Sequence, residues 1–225
     1  MTTALNLQVD HDPQTIPRYI AVEGPIGVGK TTLAKNLAKT FGYETLLEST
    51  DNNPFLERFY QDQRASALPT QLHFLFQRAK QLQELRQGDM FEPVRIADFL
   101  MEKDQLFAQV TLDDDEFRLY QQVYDQLTID TTTPDIVIFL QAPIETLMER
   151  IRKRGNPAEK HIDLNYLTAL NEAYTKFFHY YDRSPLLMVN SADIDLVDNP
   201  KHYKQFVEYL LNTKSGRHYY NPSVL

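Results

Sequence analysis

A glycine-rich segment at residues 24–32 constrains the fold of this 225-residue chain more than any other feature. Its members are Gly24, Pro25, Ile26, Gly27, Val28, Gly29, Lys30, Thr31 and Thr32. Because glycine permits backbone turns that other residues block, such a segment can wrap its N–H groups around phosphate oxygens. An apolar run at 19–22 precedes it and a helical pattern follows it. The sequence therefore predicts a phosphate-binding loop, with a flexible surface turn as the alternative.

A loop of this kind predicts a nucleoside triphosphate site. We expect Lys30 to lie along the outer phosphates and the Thr31 hydroxyl to bind Mg²⁺. The helix that begins at this point adds the positive end of its dipole. A nucleoside triphosphate and Mg²⁺ are therefore the expected ligands.

Composition indicates one domain. The chain is 42% hydrophobic and has no Gly/Ser-rich or Pro-rich linker, so we expect one core, over residues 18–212. Residues 1–17 are polar and predict a flexible N-terminal arm. Residues 213–225 show no helical or strand periodicity and predict a C-terminal tail.

The net charge limits the classes of partner that the chain can bind, and the absence of cysteine bears on its cellular compartment. A net charge of −8 disfavours a nucleic-acid polymer, whose binding needs many Lys and Arg contacts to phosphates. The chain has neither an apolar run of roughly 18 residues nor an export signal, so no membrane is expected. The absence of cysteine excludes a disulfide framework and fits a cytoplasmic location.

Short apolar runs alternate with longer helical patterns along the chain. The strand candidates are 19–23, 44–48, 94–98, 136–140 and 186–189. The helix candidates lie near 30–41, 53–64, 69–87, 113–127, 144–154, 164–181 and 200–212. Continuous apolar strands that are separated by helices pair in parallel through right-handed crossovers. The predicted fold is therefore α/β, with a doubly wound parallel five-stranded sheet flanked by helices.

Two carboxylates follow strand candidates, at the edge where open parallel sheets bind their ligands. Glu48 ends the second strand, where it can act as general base for phosphoryl transfer to an alcohol. Asp98 ends the third strand and can hold Mg²⁺ through water. The alternatives are a solvated turn for Glu48 and a capping role for Asp98.

A basic helix end follows the fourth strand candidate. Arg150 and Arg154 are four residues apart and share a helix face, so both guanidinium groups can reach a transferring phosphate. Gly155 follows directly, and the sequence predicts a lid at about 150–163. The alternative is a helix end whose cations only complement its dipole.

Gln71 and Arg78 lie seven residues apart, two turns along one helix face. The Gln amide offers a donor and an acceptor, and the guanidinium is a fork of donors, so both suit the edge of a base. A solvated polar face is the alternative for this pair.

Taken together, these residues resemble the deoxynucleoside kinase family, in its bacterial deoxyadenosine/deoxyguanosine kinase branch, over residues 18–212. The matching positions are Glu48, Tyr60, Gln71, Arg78, Arg150, Arg154, Gly155, Glu159, Tyr166, Asp195 and Leu196. The resemblance implies a P-loop kinase fold with a lid, ATP as phosphoryl donor with Mg²⁺, and a deoxynucleoside as acceptor. It also implies a homodimer packed through helices, for which the apolar faces of 69–87 and 113–127 are candidates.

The resemblance also implies roles for single residues. Glu48 becomes the general base, while Tyr60 and Glu159 bind the sugar. Gln71 and Arg78 read the base. Residues 195 and 196 hold the donor adenine. Lys30, Arg150 and Arg154 are the catalytic cations, and Arg154 also contacts ATP.

One departure from the family pattern concerns the residues after the third strand. The family carries an arginine after the acidic residue there, whereas Asp98 is followed by Phe99 in this chain. The second aspartate of the pattern is kept, as Asp104. Lys103 and Arg95 are the two candidates that can supply the missing charge, and the sequence does not decide between them.

The residues carried over from the family predict which deoxynucleoside is accepted. Asp104 accepts from an exocyclic amine, which thymine lacks, so deoxyadenosine, deoxyguanosine or deoxycytidine is expected over thymidine. The alternatives are a nucleoside monophosphate kinase such as thymidylate kinase and a non-catalytic nucleotide-binding protein of the same fold. The missing arginine is what supports the second alternative.

Overall fold

A parallel sheet organises the part of the chain that the computed structural model describes, which is residues 16–48, 52–87, 95–127, 133–192, 194, 196 and 199–221. Its strands are β1 (Tyr19–Glu23), β2 (Glu44–Leu46), β3 (Arg95–Ala97), β4 (Ile136–Gln141), β5 (Leu186–Asn190) and β6 (Arg217–Tyr220). Neighbouring strands pair in parallel in the order β2-β3-β1-β4-β5-β6. The chain adds β3 and β4 on opposite sides of β1, so the carboxyl end of β1 is a switch point of the topology.

Helices connect these strands. Within the described residues they are α1 (Lys30–Phe41), α2 (Leu56–Gln61), α3 (Gln63–Gln87), α4 (Lys103–Thr111), α5 (Asp114–Leu127), α6 (Ile144–Arg154), α7 (Leu164–Tyr180) and α8 (Pro200–Asn212), with a short 3₁₀ helix at Pro157–His161. Side chains cap several of them, including α7 and α8. Asp163 accepts a hydrogen bond from the backbone of Tyr166 at the start of α7, and Asn199 accepts from the backbone of Lys201 at the start of α8.

The core lies on both faces of the sheet. The first five residues of β4 are buried, because helices cover both faces of this central strand. A second, smaller apolar cluster joins α3, α4 and α5 around Leu75, Met101 and Tyr120. Such continuous burial is what the apolar runs in the sequence indicate, so the predicted α/β parallel-sheet fold is confirmed.

The structure differs from the sequence prediction at one edge of the sheet. Six strands are present among the described residues, rather than five, because β6 adds to β5. β6 lies within the predicted C-terminal tail, residues 213–225. Its sequence shows no apolar run because it is an edge strand, in which Arg217 and Tyr219 are exposed and Tyr220 is buried. At the other end, Ile16 of the predicted N-terminal arm is 8% exposed and belongs to the core.

Two helices also differ from the sequence prediction. α3 begins at Gln63 and continues through Pro69, although the proline predicted a later start. Asp62 explains the earlier start, because its side chain accepts a hydrogen bond from the backbone of Ala65. α4 was not predicted, because it is short and its first turn buries Lys103 and Asp104, which breaks the apolar pattern.

None of the helices in the described part of the chain is long and apolar enough to span a membrane.

Candidate active site

The loop that follows β1 has a shape that only glycine permits at two positions. Gly24 has φ of 147°, and a Cβ atom there would lie 2.4 Å from the Leu140 carbonyl oxygen. Gly27 has φ of 84°, and its Cβ would lie 2.8 Å from a side-chain carbon of Ile151. The loop is therefore pressed against the end of β4 and against α6, and it leads directly into the N-terminus of α1.

Lys30 points back over this loop. Its Nζ donates hydrogen bonds to the carbonyl oxygens of Gly24, at 2.7 Å, and Pro25, at 3.2 Å. Burial, together with repulsion from the charge of Lys103, lowers the pKa of Lys30 to about 8. An anionic group in the loop would favour the charged ammonium, which is the interaction that a phosphate supplies.

Thr31 and Asp98 meet in the centre of the site. The Thr31 hydroxyl donates a 2.5 Å hydrogen bond to Oδ2 of Asp98, and Oδ1 of Asp98 accepts from the backbone N–H of Glu48 at 2.8 Å. Asp98 thus connects the loop after β1 with the residues after β2. The two residues predicted to bind the metal therefore lie side by side. A hydroxyl and a carboxylate oxygen are both ligand types that Mg²⁺ prefers.

Glu48 lies between two cations. Arg78 donates from Nη2 to Oε1, and Nζ of Lys103 is 3.0 Å from Oε2. Burial disfavours the ionised form, but the charges of Arg78 and Lys103 outweigh it and lower the pKa of Glu48 to about 2. Glu48 is therefore an ionised carboxylate at neutral pH, which is the form that a general base needs.

Of the two candidates for the missing charge, Lys103 and not Arg95 lies near Glu48. Its side chain is 4% exposed and lies at the start of α4, one turn from Phe107. Arg95 begins β3 and therefore lies at the amino end of the sheet, away from the loops that form the site. Phe99 is 1% exposed and its ring lies 5.9 Å from the guanidinium carbon of Arg78.

Gln71 and Arg78 share the predicted face of α3, and both are buried, with 2% and 3% exposure. Besides Glu48, Arg78 also binds Asp104, through Nη1 and Oδ1. Oδ2 of Asp104 and Nε of Arg78 are buried and have no hydrogen-bond partner within the described residues. A buried polar atom without a partner is costly, so a ligand that paired with these two atoms would remove that cost.

The lid residues fall into two groups. Arg154 binds Glu159 through two nitrogens, with its Nη2 2.6 Å from Oε1 and its Nε 3.0 Å from Oε2. Arg150 points elsewhere: it donates to the carbonyl oxygen of Val28 at 3.2 Å and to that of Ser191 at 2.7 Å. The two arginines, predicted to act together, therefore lie in different surroundings.

A cavity of about 290 Å³ brings most of the predicted residues together. Its lining comprises Ile26, Gly27, Lys30, Thr31, Glu48, Leu56, Phe59, Tyr60, Thr70, Gln71, Phe74, Arg78, Asp98, Lys103, Phe107, Arg154, Asn156, Glu159 and Tyr166. Asp104 and Arg150 are not in this lining: Asp104 is covered by Arg78, and Arg150 lies against Ser191. Leu196 is 6% exposed, and its carbonyl oxygen accepts from Asn36 at 3.4 Å. Asp195 lies outside the described residues.

Glu23 is a buried residue beside the site that the sequence analysis overlooked. It ends β1 and is 0% exposed, and it accepts hydrogen bonds from the backbone of Gly24 at 3.0 Å and of Leu100 at 2.7 Å. The hydroxyl of Tyr174 donates to it at 3.1 Å, and burial raises its pKa. The signal was available, because Glu23 is also a carboxylate at the end of a strand.

The loop after β1 occupies the switch point of the sheet, and the cavity beyond it leads from Lys30 to the ionised Glu48. That arrangement defines the class of P-loop phosphotransferases, in which positioning and charge neutralisation provide most of the catalysis. Within this class, the chain belongs to the deoxynucleoside kinase family, whose model matches residues 20–213. It is thus a kinase, and the family expected from the sequence is confirmed.

Similar proteins agree with this assignment. The chain is 37% identical over 186 residues to a deoxyguanosine kinase from Bacillus subtilis (strain 168). The matched region covers 80% of this chain and 88% of that one. It is 28% identical to the deoxyadenosine/deoxycytidine kinase of the same organism, over 85% of this chain and 90% of that one. The solved structure of deoxyadenosine kinase from M. mycoides with bound dATP has a TM-score of 0.75 and 28% identity, covering 86% of this chain and 98% of that one.

Proposed function

We propose that this kinase transfers the γ-phosphoryl group of ATP to the 5′-hydroxyl of a deoxynucleoside, with Glu48 as general base. The observation that carries the proposal is the shared cavity, in which the Glu48 carboxylate lies with Lys30 and Thr31. The hydroxyl proton moves to Glu48 as the 5′-oxygen forms its bond to the γ-phosphorus. The bond from that phosphorus to the bridging oxygen breaks, and ADP leaves.

The phosphates of the donor lie in the loop after β1. Lys30, which now binds loop carbonyls, turns to the outer phosphates, and the N-terminus of α1 adds its N–H groups. Thr31 and Asp98 would hold Mg²⁺, because their oxygens are adjacent and both residues line the cavity. When bound, the ion neutralises charge that develops on the phosphate oxygens.

The lid arginines and the segment after β5 complete the donor site. Arg154 lines the cavity and turns from Glu159 to the transferring phosphate. Arg150 bridges Val28 and Ser191, so it supports the loop from behind rather than contacting the phosphate. The donor adenine is held by residues 195 and 196.

The acceptor occupies the part of the cavity near α2 and α3. Tyr60 and Glu159 line it and bind the sugar, since both are buried beside the general base. Gln71 and Arg78 read the base edge. Phe74 and Phe107 supply apolar walls for its flat faces.

We infer that deoxyadenosine, deoxyguanosine or deoxycytidine is preferred over thymidine. Asp104 has an unpartnered carboxylate oxygen behind Arg78, and an exocyclic amine can satisfy it when Arg78 turns to the base. Thymine has no such amine, and a buried group left unpaired costs about 1–3 kcal/mol. The names of the two Bacillus subtilis relatives, a deoxyguanosine kinase and a deoxyadenosine/deoxycytidine kinase, support this preference.

One panel of acceptors tests the reaction and the base preference together. The four deoxynucleosides and their 5′-monophosphates are each incubated with the protein, ATP and Mg²⁺, and product formation is measured. We expect the deoxynucleosides to be phosphorylated, with thymidine the poorest. Thymidine as the best substrate would contradict the base assignment. Preference for monophosphates would identify a nucleoside monophosphate kinase. The absence of any phosphoryl transfer would identify a non-catalytic protein.

We propose that the protein is a cytoplasmic homodimer that packs through α3 and α5. These helices contact each other, and each exposes a large apolar side chain: Phe76 is 52% exposed and Leu119 is 49% exposed. Light scattering on the purified protein should give twice the chain mass of 26.3 kDa, and Phe76→Glu should shift it toward the monomer. An unchanged dimer in that variant would place the interface elsewhere. Cell fractionation tests the location.

A further inference from the structure

The charge beside the general base sits at an unexpected position in this chain. Phe99 occupies the place where the family pattern has an arginine, and it is 1% exposed. Its ring lies 5.9 Å from the guanidinium carbon of Arg78. The family arrangement of the base and its cation is therefore not present at this position.

Lys103 places its ammonium beside the Glu48 carboxylate. Nζ of Lys103 is 3.0 Å from Oε2 of Glu48, and its side chain is only 4% exposed. It lies 5.8 Å from the centre of the Phe107 ring. Burying an ammonium is costly unless an anion is close, and Glu48 is the anion that Lys103 meets here. A lysine on the surface is solvated by water and needs no such anion.

Lys103 and Arg78 hold different oxygens of the same carboxylate. Arg78 binds Oε1 and is also tied to Asp104, whereas Lys103 binds Oε2. If Arg78 turns to a base, Lys103 is the cation that keeps the carboxylate in place. Lys103 lines the cavity with Lys30 and is close enough for their charges to repel each other.

We propose that Lys103 is the positioning residue for Glu48 and supplies from α4 the charge that an arginine at position 99 would supply from the end of β3. The proposal rests on the proposed function, because it requires Glu48 to accept the hydroxyl proton. A base must hold its oxygen within hydrogen-bond reach of that proton, and a misplacement of about 1 Å costs about a hundredfold in rate. Loss of Lys103 therefore affects turnover more than acceptor binding.

Kinetics of three single variants separate charge from general stability. Lys103→Met, which removes the charge and keeps most of the volume, should lower kcat about a hundredfold and change the acceptor KM less than about threefold. Lys103→Arg should recover most of this loss, because it keeps a cation in reach. Lys204→Met is the matched control: Lys204 is 54% exposed on α8, and kcat should stay at the wild-type value. Circular dichroism establishes that each variant is folded, and Lys103→Gln replaces Lys103→Met if that variant does not fold.

A double-variant cycle distinguishes positioning from a structural role. If Lys103 acts through Glu48, the variant Glu48→Gln/Lys103→Met should have a kcat within about threefold of Glu48→Gln alone, since the base it positions is already gone. If the two losses in kcat instead multiply, so that the kcat of the double variant is about a hundredfold below that of Glu48→Gln, the proposal is overturned. A wild-type kcat in Lys103→Met would also overturn it.

The same experiment keeps the proposal separate from the proposed function. Wild-type protein that phosphorylates deoxynucleosides, together with a large loss in Glu48→Gln, upholds the proposed function regardless of what Lys103→Met does. A normal kcat in Glu48→Gln would instead contradict the proposed function, and the Lys103 proposal would fall with it.

Discussion

The Thr31 hydroxyl donates a 2.5 Å hydrogen bond to Asp98, which lies 67 residues further along the chain. This contact joins the phosphate-binding loop after β1 to the end of β3. Asp98 in turn accepts from the backbone of Glu48, so one carboxylate connects the loop after β1, the end of β3 and the residues after β2. The pair also presents two oxygens of the kind that Mg²⁺ binds.

Removing the Thr31 hydroxyl should weaken the binding of Mg²⁺. In Thr31→Val we expect the Mg²⁺ concentration for half-maximal activity to rise about 10–100-fold, the range found when groups around a metal are lost. The measurement is activity against Mg²⁺ concentration at saturating ATP. Thr40→Val is a matched control, because it removes a hydroxyl on the same helix that contacts Tyr203 instead. Equal Mg²⁺ dependence in the two variants would remove Thr31 from the metal site.

Gly24 should tolerate alanine worse than Gly42 does. Both have positive φ, but a Cβ at Gly24 would lie 2.4 Å from the Leu140 carbonyl oxygen, whereas a Cβ at Gly42 meets open space. We expect Gly24→Ala to lose roughly 1–3 kcal/mol more of the free energy of unfolding than Gly42→Ala. Urea unfolding of the two variants measures this difference. Equal losses would mean that the loop can move away from β4.

The two lid arginines should have separable effects. Arg154 lines the cavity, so Arg154→Ala should lower kcat a hundredfold or more, on the order expected for a group that stabilises transition-state charge. Arg150 bridges Val28 and Ser191, so Arg150→Ala should mainly raise the KM for ATP. Steady-state kinetics with ATP varied provide both values. A large fall in kcat for Arg150→Ala would instead place both arginines at the transferring phosphate.

The ionised Glu48 should make the free energy of unfolding fall as the pH is lowered. Arg78 and Lys103 lower its pKa from 4.5 to about 2 in the folded protein, against the effect of burial. A carboxylate with a lowered folded pKa stabilises the protein above its unfolded pKa, and the stabilisation is lost as pH falls toward the folded value. Relative to Glu48→Gln, wild-type stability should therefore fall by roughly 1 kcal/mol between pH 6 and pH 4. Urea unfolding at both values tests this, and a constant difference would mean that Glu48 is not held by these cations.

Much of the fold follows from local sequence patterns. The runs that became β1 and β4 are buried on both faces, so their apolar character is continuous and easily read. β6 has one partner strand and two exposed residues, and its RHYY sequence carries no such pattern. Edge strands depend on pairing rather than on local composition, so the sequence alone does not reveal them.

The site was predictable in its residue types but less so in its contacts. Glu48 and Asp98 were found because they end strand candidates, and the same rule would have found Glu23. Lys103 was only one of two candidates, because its approach to Glu48 depends on α4, a helix without a clear apolar pattern. Contacts between residues this far apart arise from the packing of whole elements, which local periodicity does not specify.

The distance between Glu48 and the acceptor 5′-oxygen tests the central claim most directly. A crystal structure of the protein with a deoxynucleoside, Mg²⁺ and a non-hydrolysable ATP analogue would measure it. We predict that a Glu48 carboxylate oxygen lies about 2.6–3.2 Å from the 5′-oxygen, with the γ-phosphate of the analogue on the other side of that oxygen, over Lys30. A Glu48 carboxylate turned away from the 5′-oxygen, with another group within hydrogen-bond reach of it, would contradict the account.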